Sequence, residues 1–252
     1  MNVDYDETFF EWVNLTARRS ALGVLPLVND TVHPLSLLDV GCGQGAWLAV
    51  WSELGVDDHL GLDGAYVDVE TLLIPRQRFR IVDLRRPWDV GRRFDLVQSL
   101  EVAEHLPADS ADAFVRCLCA HGDVVLFSAA QPGQGGERHI NERQPSYWAG
   151  VFSANGFAAF DCIRPLIARN RTVDPWYRFN TLVYANEAGA ARLSVQARES
   201  RVDRLGDLNR GPNFVWRVRQ ILLRPLPEAG VTLLSRLRYR VAVARFKRGR
   251  TK

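Results

Sequence analysis

The sequence predicts a doubly wound α/β protein with a mostly parallel sheet, followed by a basic helical extension. Short apolar runs alternate with helical patterns over the first 186 residues, as in sheets whose strands are joined by crossover helices. A glycine-rich turn follows the first run, at 41–45, and a strongly basic segment begins near residue 190. Hydrophobic residues make up 47% of the chain and charged residues 24%, which is ordinary for a globular protein.

The predicted elements follow in a regular order, beginning with a helix over about 7–25. Apolar runs of strand length are separated by turn residues, whereas helices need longer periodic patterns. The expected strands are Leu37–Val40, His59–Asp63, Phe79–Leu84, Phe94–Leu100, Val124–Ser128, Phe157–Ile163 and Thr181–Ala185. The expected helices between them are Ala46–Leu54, Asp109–His121 and Ser146–Asn155. This pattern predicts the class of fold but not the order of the strands.

The segment LLDVGCGQGAWL, Leu37–Leu48, is the most informative part of the chain. Asp39 lies in the apolar run, and Gly41, Gly43 and Gly45 follow at alternate positions. Glycine permits a sharp turn and lets a ligand approach the backbone closely. A strand, a glycine turn and a helix N-terminus are the parts of a nucleotide pocket. Dinucleotide sites have G-x-G-x-x-G, whereas this chain has G-x-G-x-G with an acid two residues before it.

This segment resembles motif I of the class I S-adenosylmethionine-dependent methyltransferases. The resemblance implies a Rossmann-like methyltransferase fold with a seven-stranded sheet, the last pair of strands antiparallel, and S-adenosyl-L-methionine as cofactor. That ligand has no pyrophosphate, so an acid is tolerated where a dinucleotide site would repel it. The glycine spacing therefore disfavours a hydride-transferring dehydrogenase.

Two further acids end the next predicted strands. Asp63 ends the second strand, where a carboxylate can accept hydrogen bonds from both ribose hydroxyls. Asp83 ends the third strand, and the resemblance implies that it reaches the adenine amine while Leu84 offers its backbone N–H. Each aspartate alone is weak evidence, and the alternative for Asp63 is a helix N-cap or a turn. Three acids ending three successive strands beside a glycine turn predict a cofactor pocket.

The fourth strand continues into FDLVQSLEVAEHLP, Phe94–Pro107, which resembles the family segment E-x-x-E-H-L beside the transferred methyl group. Glu101 is assigned to the cofactor site, and Glu104 and His105 follow it. His105 is a candidate general base because the pKa of imidazole lies near neutrality. The alternative is that the Glu-His pair only shapes the cofactor pocket. The segment lacks the Asp/Asn-Pro-Pro-Tyr/Phe and Pro-Cys motifs, which argues against methylation of adenine, cytosine or glutamine amino groups and of cytosine C5.

The most distinctive segment is the polar, glycine-rich stretch Ser128–Phe152, because loops that follow strands carry specificity. His139 is the preferred general base for an acceptor hydroxyl, with Glu142 to orient it. The rival use is a magnesium site at His139, Asn141 and Glu142. Since magnesium prefers carboxylate oxygens to imidazole, no metal is predicted. A capped surface loop is the structural alternative.

The pattern P-G-Q-G-G-x-x-H-x-N-E followed by Y-W resembles a bacterial group of small-molecule methyltransferases, many associated with sugar or secondary-metabolite pathways. The resemblance covers about residues 5–186. It implies methyl transfer to an oxygen, or second to a nitrogen, of a small polar acceptor such as a sugar or glycosylated metabolite. RNRTVDPWYRFN, Arg169–Asn180, either lines the acceptor pocket or packs in a hairpin loop, through Trp176, Tyr177, Arg178 and Asn180.

The charge distribution predicts a boundary near 186–190, with a methyltransferase domain at 1–189 and an extension at 190–252. Residues 192–252 contain 16 Lys and Arg against 4 Asp and Glu, although the whole chain carries a net charge of +3. Apolar residues recur at helical spacing in two basic stretches, 214–226 and 231–250. These stretches are expected to pack on the domain or on a second subunit, to lie on a membrane surface, or to contact nucleic acid.

Other features set the cellular context and the rival functions. The N-terminus is acidic and aromatic, which argues against a signal peptide, and no apolar run has the length of a membrane span. Four cysteines without zinc-site spacing suit a reducing compartment. We therefore expect a cytoplasmic protein, peripheral at the inner membrane face if the extension binds lipid. The rivals are an RNA methyltransferase that uses the basic extension and a non-catalytic methyltransferase-like subunit.

Overall fold

The computed structural model describes residues 7–210, with side chains from residue 13 onwards. The two basic stretches expected at 214–226 and 231–250 lie outside the described residues. Within residues 7–210, no helix combines the length and the apolar character that a membrane crossing requires.

Seven strands form one sheet in the order β3-β2-β1-β4-β5-β7-β6. They are β1 (Ser36–Val40), β2 (Asp58–Asp63), β3 (Phe79–Ile81), β4 (Leu96–Leu100), β5 (Val124–Ser128), β6 (Ala158–Phe160) and β7 (Leu182–Ala185). Strands β1 to β5 pair in parallel, and β7 lies antiparallel between β5 and β6. The predicted seven-stranded, mostly parallel sheet is confirmed, with β1 and β4 adjacent at the point where the strand order reverses.

Eight α-helices precede, connect or follow these strands within the described part of the chain. They are α1 (Glu7–Val32), α2 (Ala46–Glu53), α3 (Ala111–His121), α4 (Pro145–Ala154), α5 (Arg164–Ile167), α6 (Pro175–Asn180), α7 (Glu187–Arg192) and α8 (Val195–Glu199). Short 3₁₀ turns occupy Val69–Thr71, Arg76–Arg78, Ala103–His105, Ala108–Ser110 and Leu205–Arg210. α4 and α6 each begin with proline, whose fixed φ suits the first turn of a helix.

Helix α1 continues past the expected end at residue 25 and through Pro26 to Val32. Proline inside a helix removes one backbone hydrogen bond at a cost of about 3 kcal/mol or more. The following turn carries Val28 and Val32, whose side chains are buried in the same core as Val24 and Leu25. Burial of this apolar face on the sheet offsets the missing hydrogen bond, so the helix persists.

The described residues beyond 189 pack on the domain. Val202 N–H donates to the Ala159 carbonyl at 2.9 Å, which attaches the chain to the β6 edge. The Leu193, Ala197 and Leu208 side chains are buried in the two cores. The boundary expected at 189/190 stays a prediction. Because of these contacts, a truncation after residue 210 disturbs the packing of the domain less than one after residue 189.

Candidate functional site

The turn between β1 and α2 is shaped by three left-handed glycines: φ is +82° at Gly41, +55° at Gly43 and +86° at Gly45. A Cβ at Gly41 would collide with Val102, and a Cβ at Gly45 would come within 2.9 Å of Ile74 Cγ1. A Cβ at Gly43 would meet nothing within 4 Å. The outer glycines are therefore required by packing, whereas the middle one faces open space where a ligand can approach the backbone.

Asp63 joins this turn to the end of β2. Its buried carboxylate accepts hydrogen bonds from the backbone N–H of Gly43 and of Gly64, each at 2.6 Å, and from the Tyr66 hydroxyl. Burial raises the pKa of Asp63, and the three hydrogen bonds lower it again in part. The Tyr66 residue is 82% exposed. A ligand hydroxyl can therefore replace the tyrosine as a donor to Asp63.

Asp39 lies in the centre of the sheet, paired in register with Gly61 of β2 and Gln98 of β4. Burial raises the pKa of Asp39 to about 7, partly opposed by the nearby Gln98 amide and reinforced by the negative charge of Asp63. Two buried carboxyl groups on neighbouring strands make this end of the sheet a suitable environment for a cationic ligand.

Asp83 and Leu84 follow β3 on the chain. β3 ends at Ile81, earlier than expected, and an Asp83 carboxylate oxygen accepts a hydrogen bond from the Arg85 backbone at 3.1 Å. The Arg85 side chain forms a two-pronged ion pair with Asp83, at 2.8 and 3.0 Å, and this pair lowers the pKa of Asp83 to about 2. Contact between Asp83 or Leu84 and an adenine ring stays a prediction.

The residues around the β1–α2 turn fit the predicted cofactor. The open space beside Gly43 accommodates a ligand that a side chain would displace, and Asp63 presents a carboxylate next to it. S-Adenosyl-L-methionine carries a sulfonium and an ammonium charge, which suit the acidic surroundings of Asp39 and Asp63. The positive end of α2 lies at the same turn.

Glu101, at the end of β4, connects three segments. It is one of three described non-glycine residues with positive φ (+57°), and its backbone N–H donates to the Ser128 carbonyl at 2.9 Å. Its carboxylate accepts from Gln134 Nε2 at 2.6 Å and from Asn180 Nδ2 at 3.0 Å. A rarely populated backbone conformation, held by contacts from every side, is typical of functional sites.

The segment Arg169–Asn180, expected either to line the acceptor pocket or to pack in a hairpin loop, ends in helix α6. Tyr177 and Asn180 are buried, and the Tyr177 ring packs edge-on against Trp47 at a centroid distance of 4.9 Å. Asn180 also accepts from Gln131 Nε2 at 2.9 Å and donates to Gln134 Oε1 at 2.9 Å. Sequence reasoning missed this amide network, because its members lie 46 and 49 residues apart and no local pattern links them.

His139 and Glu142 form an oriented pair in the glycine-rich loop. His139 Nδ1 lies 2.9 Å from Glu142 Oε1, and the glutamate also accepts from the backbone N–H of Gly133 and Gly135, at 2.9 and 2.7 Å. A Cβ at Gly136 would collide with the His139 ring. The glycines therefore fold the loop around this pair. With Nδ1 donating to the carboxylate, the lone pair of the imidazole lies on Nε2.

His105 lies next to His139, with the two rings edge to face at a centroid distance of 4.9 Å. His105 Nδ1 is 3.3 Å from the Arg138 carbonyl. One side of His105 is exposed, yet loss of hydration around the ring, together with the neighbouring His139, lowers its pKa to about 4. A base of such a low pKa is weak near neutrality, which favours His139 over His105 as the general base.

Glu104 is fully buried between these groups. Burial raises its pKa well above the ordinary value, and the charge of Glu101 raises it further. Its backbone carbonyl accepts from the N–H groups of Ile140 and Asn141, at 2.9 and 3.0 Å, which fastens the glycine-rich loop to the end of β4. Val102 also packs against Gly41. The β1–α2 turn, the segment Glu101–His105 and the loop that carries His139 therefore meet at one end of the sheet.

The magnesium site considered at His139, Asn141 and Glu142 gains no support from the geometry. Asn141 Oδ1 accepts from Arg143 Nε at 2.9 Å, and the Glu142 oxygens accept from Gly133, Gly135 and His139. These oxygens already have donors.

Residues 15–128 match a protein family described as "Methyltransferase domain". A curated relative, the ubiquinone biosynthesis O-methyltransferase of Methylobacterium sp. (strain 4-46), is 35% identical over 101 residues. This match covers 38% of the present chain and 39% of that protein, so the chain matches about two fifths of the relative's length.

Two solved structures are similar to this chain. The sugar N-methyltransferase of Streptoalloteichus sp. ATCC 53650 is 17% identical with a TM-score of 0.50, over 67% of this chain and 87% of that one. Magnesium protoporphyrin IX methyltransferase of Synechocystis PCC 6803, solved with its bound cofactor, is 18% identical with a TM-score of 0.47, over 74% and 86%. At such low identity the likeness to the sugar enzyme shows the fold. Residues 15–128 of this chain are therefore similar to methyltransferase domains.

Proposed function

We propose that this protein transfers the methyl group of S-adenosyl-L-methionine to an oxygen of a small polar acceptor, of the sugar or glycosylated-metabolite class. The observation that carries the proposal is the His139–Glu142 pair, with its 2.9 Å hydrogen bond. A hydroxyl must lose a proton as it accepts a methyl group, and an imidazole oriented by a carboxylate is suited to take it. A neutral amine is nucleophilic enough to attack without losing a proton in the same step, whereas a hydroxyl is not, so a positioned base favours oxygen over nitrogen.

When bound, the cofactor supplies an electrophilic methyl group on a sulfonium sulfur. In our proposal Gly43 and Asp63 hold its nucleoside part, and the buried Asp39 faces its positive charge. His139 Nε2 takes the proton of the acceptor hydroxyl, while Glu142 holds the ring and stabilises the imidazolium that forms. The remaining contribution is alignment of the two reactants, which the rigid ends of β1 and β4 provide.

The acceptor class rests on the glycine-rich loop and its surroundings. The loop resembles that of small-molecule methyltransferases, and the buried amide network of Gln131, Gln134 and Asn180 places polar groups beside Glu101. Such polar groups suit an acceptor with several hydroxyls better than a purely apolar one.

The test is incubation of the full-length protein with cofactor labelled in the methyl group and three acceptor panels: sugar nucleotides, lipid-linked sugars and phenols. Label in a sugar hydroxyl, located by mass spectrometry and NMR, is the expected result. Label in a phenol would keep methyl transfer to oxygen and replace the acceptor class. Label in an amine would contradict the choice of oxygen.

Replacement of Asp63 by alanine is expected to weaken cofactor binding by about 1.5–3 kcal/mol, because hydrogen bonds to a charged group are lost. Calorimetry should show this as a roughly 10- to 150-fold higher Kd. Asp57→Ala serves as the control. This exposed aspartate directly precedes the first residue of β2, whereas Asp63 is the last residue of that strand. Equal affinities of the two variants, both folded by circular dichroism, would remove Asp63 from the cofactor site.

We also propose that the basic extension contacts anionic membrane surfaces. Residues 211–252 contain 11 Lys and Arg against one Asp or Glu, among apolar residues at helical spacing. Basic amphipathic segments gain from apolar burial and from attraction to anionic lipid. A location at the inner face of the cytoplasmic membrane is part of this proposal.

Full-length protein is expected to co-sediment with anionic liposomes, and less so as the salt concentration rises. A chain ending at Arg210 is expected to stay in the supernatant and still bind the cofactor. Indifference of the full-length protein to liposomes would contradict the membrane proposal. RNA binding with a steep salt dependence would favour the nucleic-acid rival, and dimerisation lost on truncation would favour a second subunit as the partner.

A further inference from the structure

Three side chains that can bind a metal converge at the end of β4. Glu104, His105 and His139 each offer one ligand atom, and these atoms all lie within 4.8 Å of one another. Two of the residues are neighbours in a 3₁₀ turn, and the third comes from the glycine-rich loop. The loop is fixed to the turn by the hydrogen bonds of Ile140 and Asn141 to the Glu104 carbonyl.

Glu104 supplies an independent observation. Its side chain is 0% exposed, and neither carboxylate oxygen makes a hydrogen bond of ordinary geometry to residues 13–210, although the Ala130 backbone and the Glu101 carboxyl group lie near it. Buried carboxyl groups are normally hydrogen-bonded, paired with a cation or bound to a metal, because desolvation without a partner is costly. An unpartnered carboxylate in contact range of two imidazoles therefore points to a cation between them.

Each of the two histidines has its Nδ1 beside an oxygen atom, as the histidine ligands of metals commonly do. His139 Nδ1 is hydrogen-bonded to Glu142, and His105 Nδ1 lies within reach of the Arg138 carbonyl. With Nδ1 donating in each ring, Nε2 carries the lone pair. A carboxylate or backbone carbonyl behind a histidine is the usual second-shell arrangement, which fixes the tautomer and increases the basicity of the ligand.

We propose that Glu104, His105 and His139 bind a divalent transition-metal ion, such as Zn²⁺, Mn²⁺ or Co²⁺. Two imidazoles and one carboxylate match the ligand preferences of these ions, whereas Mg²⁺ prefers oxygen ligands alone. Three protein ligands leave at least one coordination position open, as in catalytic rather than structural metal sites. The proposal gives a role to the Glu104 carboxylate, which has none if a histidine base alone assists methyl transfer.

The catalytic consequence rests on the proposed function. An acceptor hydroxyl at the open position has its pKa lowered by the ion, so its proton passes to solvent water. The oxygen–methyl bond then forms as the methyl–sulfur bond breaks, and the electron pair of that bond stays on sulfur. In the metal-loaded protein, the Nε2 lone pair of His139 binds the ion, which replaces direct proton transfer to the histidine.

Binding can be tested without any acceptor. Tag-free full-length protein, treated with chelator and then dialysed, is titrated with Co²⁺ in an absorption spectrometer and with Zn²⁺ or Mn²⁺ in a calorimeter. One ion per chain is expected, together with visible d–d bands of Co²⁺ bound by nitrogen and oxygen. Glu104→Gln and His139→Asn are expected to lower the affinity by 10-fold or more.

The matched control is His33→Asn, because His33 is an exposed histidine at positive φ, a conformation that asparagine tolerates. Calorimetric binding of S-adenosyl-L-methionine by each variant verifies that it is folded. Absence of stoichiometric binding, or equal affinity in the wild type and both site variants, would overturn the metal site. Metal binding in a protein that methylates no acceptor would instead count against the proposed function and leave the site standing.

Discussion

Valine at position 43 is expected to abolish binding of S-adenosyl-L-methionine while the domain stays folded. The space beside Gly43 is open, so the Cβ atom of a valine meets no protein atom within 4 Å, apart from its chain neighbours, and the side chain enters the volume assigned to the ligand. Gly43 has φ +55° and donates its N–H to the Asp63 carboxylate. It therefore lies next to the group that is proposed to bind the ribose. Isothermal titration calorimetry should show no heat of binding at concentrations that saturate the wild type.

The control for this variant is Gly55→Val. Gly55 has φ +87°, also faces open space, and lies after the C-terminus of α2. Both substitutions place a β-branched residue at positive φ, at a cost of roughly 1–3 kcal/mol, so both should lower the melting temperature to a similar extent. If Gly43→Val binds the cofactor as well as Gly55→Val does, the β1–α2 turn is not the binding site.

Replacement of His139 by alanine is expected to lower turnover by about 10²-fold or more, in the range of a lost general base, with cofactor affinity changed only a few fold. The physical reason is loss of the Nε2 lone pair, whether it acts on the acceptor proton or on a bound ion. Initial rates at saturating cofactor, together with calorimetric affinities, measure the two effects separately.

If His139 acts as a direct base, His105→Ala is expected to change cofactor binding more than turnover. In the metal-dependent route His105→Ala is expected to lower turnover as well, because His105 is a proposed ligand. His33→Asn is expected to change neither quantity. Full turnover by His139→Ala, with a large loss in His105→Ala, would reverse the roles of the two histidines. If removal of metal ions leaves the wild-type rate unchanged, His139 acts as a direct base. Loss of activity with chelator, restored by Mn²⁺ or Zn²⁺ but not by Mg²⁺, supports the metal-dependent route.

The sequence predicted the buried strands well because their signal is local. β5 has the expected bounds Val124–Ser128, and β1 and β2 each begin one residue earlier than expected. The edge strand β3 ends three residues earlier than expected, because Asp83 and Arg85 form a turn beyond it. Apolar character alone does not distinguish a paired strand from the extended chain that follows it.

The candidate site was predictable where its residues form short motifs. The three glycines, Asp63 and the His139–Glu142 pair follow from local patterns, and the structure places each in a definite hydrogen-bonding or open position. The link from Glu101 to Asn180 joins residues 79 positions apart, and the missing partners of Glu104 become visible only when its surroundings are known. Whether a buried polar side chain has a hydrogen-bond partner depends on tertiary contacts, so the spacing of residues in the sequence does not reveal it.

The reversed direction of β7 has a consequence for how acceptor preference can change. An antiparallel strand starts at the edge of the sheet where the parallel strands finish, so Asn180, two residues before β7, arrives beside Glu101. The segment between β6 and β7 therefore reaches the proposed reaction centre from one half of the sheet, whereas Gly43 and Asp63 lie in the other half. Substitutions in that segment away from Tyr177 and Asn180, which contact Trp47 and Glu101, can alter which acceptor fits without touching the proposed donor contacts of Gly43 and Asp63.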